Sequence, residues 1–120
     1  MSDKAGKWLE KAENDLNDAK YLIEDDRNNS AVVFLQQAVE KSLKSVMINR
    51  DQEIAYTHNL LELANKVNLP EHKTDYFAIL NTLYTGARYP GADEEEIENI
   101  TEIVENVEEV LKWTKKQLKK

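Results

Sequence analysis

Ile97, Ile100, Val104, Val107, Leu111, Thr114 and Leu118 follow one another in steps of three and four to the end of the chain. That is the period of one face of an α-helix, and a strand cannot use it, because its side chains alternate sides every residue. The same spacing recurs near the start, where Trp8, Ala12, Leu16, Ala19 and Ile23 form a stripe widened by Leu9 and Leu22, predicting an amphipathic helix over residues 3–25. Only three glycines and two prolines interrupt 120 residues, too few turn formers for an all-β fold.

Between these two helices the sequence divides again. "DDRNNS" is a cluster of turn formers, with Ser30 as N-cap of a helix over residues 30–49. There Ala31, Phe34, Leu35, Ala38, Ser42 and Ser45 share one side, and the small members let a neighbouring helix approach closely. Thr57 is predicted to cap a short helix through Leu60, Leu61, Ala64 and Val67. Asn68, with Pro70 and Glu71 behind it, is predicted to start a fourth helix that ends at Gly86. Asp93 with Glu96 has the spacing of a capping box for the last helix. Short connections favour antiparallel neighbours, so the expected fold is all-α, an up-and-down bundle of four long helices plus one short helix, in one domain over residues 1–120.

Several chemistries are excluded. There is no cysteine, hence no disulfide framework or thiolate metal site. Neither His58 nor His72 has a Glu three residues before it, as a di-metal bundle site requires, and the glycines do not form a phosphate loop. No metal or cofactor is expected. The opening residues are too polar for a signal peptide and no apolar run reaches membrane-spanning length, so the expectation is a cytoplasmic protein without a membrane partner. A net charge of −7 repels phosphate backbones on average, and no DNA partner is expected. Lys112, Lys115, Lys116, Lys119 and Lys120 read as a solvated end matched to the helix dipole, with an RNA- or partner-binding tail as the other reading.

The candidate site residues are Arg88, Tyr89, His58 and Lys41. In "TGARYPGADEEEIENI", Arg88 and Tyr89 put a fixed cation beside an aromatic ring ahead of a helix start, suited to an anion such as phosphate. The acidic turn behind them supports a second reading, in which Arg88 pairs with one of its carboxylates. His58, in "YTHNLLEL", either makes a structural hydrogen bond at the bundle's mouth or contacts a ligand. Lys41, in "QQAVEKSLK", either is solvated or lines the same opening. His72 reads as a surface residue.

The opening "WLEKAENDLNDAKYLI", then "AVVFLQQAVEKSLKSVM", "THNLLEL" and "LYTGARYP" resemble, in this order and spacing, the HEPN domains, named for higher eukaryotes and prokaryotes nucleotide-binding. The resemblance covers nearly the whole chain. It implies a bundle of four to five helices that forms a homodimer, often working beside a minimal nucleotidyltransferase in toxin–antitoxin pairs. Many members are metal-independent endoribonucleases, whose motif is an Arg and a later His with four to six residues between them. Arg88 matches the arginine, but positions 93 to 95 hold Asp93, Glu94 and Glu95. A carboxylate titrates too low for proton transfer at neutral pH, so this incomplete motif implies a binding module for nucleotide or RNA more than an endoribonuclease toxin with a divergent site, and a purely structural helical dimer is the remaining reading.

Overall fold

A computed structural model describes residues 3–89 and 97–120. Its described residues form five α-helices, α1 (Asp3–Glu24), α2 (Asn28–Asn49), α3 (Leu60–Val67), α4 (Phe77–Arg88) and α5 (Ile100–Leu118), with a 3₁₀ turn at Glu71–Lys73. The expected all-α bundle is what forms.

Helix α2 lies at the centre. It packs against α1, α3, α4 and α5, and it buries residues round most of its circumference, from Ala31 and Val32 to Val46 and Met47, with Gln37 and Lys41 half-buried on the remaining side. Its small side chains permit this: Ser42 Oγ lies 2.6 Å from Thr114 Oγ1 of α5, both fully buried. Ion pairs of Lys20 with Glu108 and of Lys115 with Glu13 show α5 running antiparallel to α1. Since α1 and α2 are joined by a three-residue turn, the long helices alternate in direction, with α2 and α5 parallel. On α1, Ala5, Leu9, Ala12, Leu16 and Ala19 make the buried face, and on α4 it is Phe77, Leu80 and Tyr84. Phe77 and Leu80 are fully buried, each stabilising the fold by roughly 2–3 kcal/mol relative to exposure.

Three helices end in the same way. Asp26, Asp51 and Asn68 adopt left-handed backbone, with φ of 58°, 54° and 57°. In each case the next amide reaches back five residues: Arg27 N to Leu22 O, Gln52 N to Met47 O and Leu69 N to Ala64 O. These bonds satisfy the last carbonyls, and Asp or Asn tolerates the left-handed region better than other side chains bearing a Cβ.

The boundaries correct the sequence reading in several places. Asn68 closes α3 and does not open a helix; α4 begins only at Phe77, after the 3₁₀ turn. Ser30 lies inside the first turn of α2, with Arg27 at the cap position. The cap of α3 is Asn59, whose side chain accepts from Leu61 N, while Thr57 Oγ1 accepts from Asn59 N. Helix α4 runs through Gly86 to Arg88. Among described residues α5 starts at Ile100 behind Asn99, and the Asp93–Glu96 spacing lies outside the described residues. Its buried face is Ile103, Val107, Val110, Leu111, Thr114 and Leu118, turned from the expected stripe so that Ile100 and Val104 sit at its rim.

Candidate functional site

The row Gln36, Glu40, Lys44 steps along α2 by four residues, and all three side chains are buried although the helix around them is apolar. Burying a carboxylate requires partners. Glu40 has them: Oε1 accepts from His58 Nδ1 at 2.7 Å and from Gln36 Nε2 at 3.3 Å, and Oε2 accepts from Lys44 Nζ at 3.0 Å. Burial alone would raise the Glu40 pKa, but the hydrogen bonds from His58 and Lys44, with their charges, outweigh it and hold the carboxyl below the ordinary carboxylate value.

His58 comes from residues 52–59, which have no regular structure, and the cluster fixes it there. Gln36 Nε2 donates to the His58 carbonyl at 2.8 Å. From the other side, Asn81 of α4 accepts from Leu60 N at 3.1 Å and donates to Asn59 Oδ1 at 3.0 Å, tying the start of α3 to α4. With Nδ1–H given to Glu40, the imidazole is set in one orientation and its Nε2 is left to the solvent side; the side chain is 64% exposed.

Arg88 completes the arrangement. It lies in the last turn of α4, not in a loop as the sequence reading placed it, one helical turn beyond Tyr84. Its Nη1 donates to Tyr84 Oη at 2.8 Å, and its guanidinium carbon lies 4.8 Å from the centre of the Tyr84 ring. The other neighbour of that ring is His58, at 6.1 Å between centroids, and Gln37 Nε2 donates to both Tyr84 Oη and Gln36 Oε1. Tyr84 thus joins the arginine to the histidine. Among the described residues no carboxylate pairs with Arg88, which is exposed; the carboxylates at positions 93–96, its partners in the second sequence reading, lie outside the described residues.

Two other candidates stand differently. Tyr89 caps α4 with extended backbone and is 64% exposed beside Arg88. Lys41 does not join this cluster: its Nζ turns toward α1 and lies 2.7 Å from Asp15 Oδ2, a carboxylate only 2% exposed. The sequence reading missed Gln36, Gln37, Glu40, Lys44 and Tyr84. The signal for three of them was the run of polar residues at four-residue steps inside an otherwise apolar helix. Among described residues no group of three His, Asp or Glu side chains is placed to hold a metal ion, and no described helix is long and apolar enough to cross a membrane.

Fold and site together define a helical bundle with a cationic, aromatic and imidazole cluster on an exposed edge of its central helix. The profile of the HEPN domain matches residues 5–118, and the chain belongs to that family. None of the curated proteins compared matches it. Among solved structures, TT1696 from Thermus thermophilus superposes with a TM-score of 0.84 at 24% identity, covering 97% of this chain and 99% of that one. ST0689, an archaeal HEPN homologue, gives a TM-score of 0.77 at 25% identity, covering 95% and 97%.

Proposed function

We propose that this chain is a non-catalytic HEPN module that binds a nucleotide or RNA through Arg88, acts as a homodimer, and works with a minimal nucleotidyltransferase in a toxin–antitoxin-like pair. The observation that carries the reading is the exposed Arg88 guanidinium, braced on Tyr84 beside the oriented His58 imidazole. A planar cation with several donors next to aromatic surface suits a phosphate and the base attached to it. Tyr89 extends the aromatic surface. Titration with AMP and with a short RNA tests this: Arg88→Ala weakens both by about tenfold or more, the loss expected for a charge-assisted hydrogen bond. Unchanged affinity refutes the role of Arg88. A pull-down from the native host recovers a nucleotidyltransferase if the partnership holds, and sedimentation reports the dimer.

A second reading, an endoribonuclease with a divergent site, draws support from the 2.7 Å contact of His58 Nδ1 with buried Glu40. A carboxylate behind an imidazole sets it up to accept a proton at Nε2, here from an RNA 2′-hydroxyl attacking the adjacent phosphorus. Incubation with total RNA decides between them: cleavage lost in both His58→Gln and Arg88→Ala supports the enzyme, and inert wild-type protein refutes it.

A further inference from the structure

The helices around α2 leave one side of it open. Helix α1 touches α2 and α5, α4 touches α2 and α3, and α1 and α4 do not meet among the described residues. Gln37 and Lys41, four residues apart and both half-buried, mark this side: Gln37 reaches α4 at Tyr84 Oη, and Lys41 reaches α1 at Asp15. They are separated by about 6 Å along the helix axis, within the span of a short strand.

At the α1 end lies a hollow of about 260 Å³ lined by Lys7, Trp8, Lys11 and Lys41. Beneath it, Asp15 holds two of these lysines, Lys41 at 2.7 Å and Lys11 at 3.5 Å. Lys7 is exposed and has no carboxylate partner among the described residues, and Trp8 is half-buried. Three lysines against one buried aspartate make this a positive patch on a chain of net charge −7, with an indole in its floor.

We propose that the Gln37–Lys41 row floors a channel for an RNA strand, with one nucleotide at Arg88 and the next part of the strand at Trp8, where the indole stacks on a base and Lys7, Lys11 and Lys41 meet phosphates. This rests on the nucleotide or RNA reading of Arg88 and narrows it to an extended ligand. A mononucleotide needs one cation beside one aromatic group; two such sets flanking one open helix side fit a chain of nucleotides. An acidic peptide would use the lysines but gain little from the indole.

The test uses the intact protein with AMP, a short labelled oligouridylate and an oligoglutamate of equal charge, after thermal unfolding has confirmed that each variant folds. The Lys7→Gln/Lys11→Gln double variant weakens oligouridylate binding several-fold and flattens its salt dependence by about 0.7 per lysine removed, leaving AMP unchanged. Trp8→Leu weakens the oligouridylate about tenfold, the scale of one lost base stack. The channel is overturned if oligouridylate binding ignores all of these changes, or if oligoglutamate binds as tightly. If Arg88→Ala abolishes binding of both nucleotides while the α1 variants do nothing, the Arg88 reading stands and the channel falls. If the α1 variants act and Arg88→Ala does not, the Trp8 subsite stands and the Arg88 reading falls; if neither nucleotide binds, both fall.

Discussion

Replacing Glu40 by alanine should destabilise the protein more than any other single change at the site. Its side chain is 7% exposed, and the carboxylate accepts from His58, Lys44 and Gln36. Breaking a buried ion pair from one side costs about 3–5 kcal/mol, because the remaining charge is left without a partner. That charge is Lys44, whose side chain is 9% exposed and can partly reach water, so the lower end, about 3 kcal/mol, applies. For a chain of 120 residues this lowers the melting temperature by about 12 °C. Glu40→Gln keeps an oxygen for His58 but no charge for Lys44, and should cost about 1–2 kcal/mol. The pH dependence gives an independent check. Because the folded-state pKa of Glu40 is lowered, its contribution is fully present above the unfolded-state value of about 4.3 and disappears as pH falls through the folded value. Urea unfolding should therefore show the gap between wild type and Glu40→Gln narrowing as pH falls below about 4. A loss under about 1 kcal/mol for Glu40→Ala, or a gap that persists undiminished in acid, would refute the buried network.

Other outcomes follow from single features of the fold. Asn68→Ala should cost about 1 kcal/mol in urea unfolding, whereas Asn68→Gly should not, because φ is 57° there. Ser42→Ala leaves the buried Thr114 hydroxyl unpaired and should cost about 1–2 kcal/mol, while adding Thr114→Val should recover part of it, a coupling that a double-mutant cycle reads directly. Phe77→Ala, at a fully buried position, should lose about 3–5 kcal/mol by thermal unfolding.

How much of this was legible in the sequence differs by element. The stripe of α1 and the small face of α2 were readable because both follow from spacing alone. Asn68 is ambiguous in the sequence because the same side chain serves two ends: it accepts hydrogen bonds at a helix start and tolerates left-handed backbone at a helix stop. Gly86 reads as a terminator in the sequence, yet a glycine inside a helix costs only about 1 kcal/mol, and α4 continues for two residues beyond it. For α5, two overlapping stripes share Val107, Leu111, Thr114 and Leu118, and only the packing of α1 and α2 selects between them. Arg88 and His58 could be nominated from residue type and position. Their connection could not, since Tyr84 and Glu40 come from separate helices. Lys41 could not be assigned a side either, because its direction is set by Asp15, 26 residues earlier.

A purely structural account of the Gln36–Glu40–Lys44 row meets an energetic difficulty. Gln36 holds the His58 carbonyl and Asn81 holds the neighbouring Asn59, so the segment has anchors that do not require an ionised Glu40–Lys44 pair. Buried ion pairs are generally no more stabilising than apolar side chains of similar volume. If stability were the whole role of the pair, Glu40→Leu/Lys44→Met would keep the fold and leave ligand affinity alone. If the pair serves to orient the His58 imidazole beside Arg88, the same double variant stays folded, with a melting temperature within a few degrees of wild type, yet loses RNA affinity. The charge-conserving reversal Glu40→Lys/Lys44→Glu separates the cases further, since it keeps an ion pair on α2 but sets an ammonium where Glu40 met His58. Unaltered RNA affinity in both folded variants would leave the buried row with stability as its sole purpose.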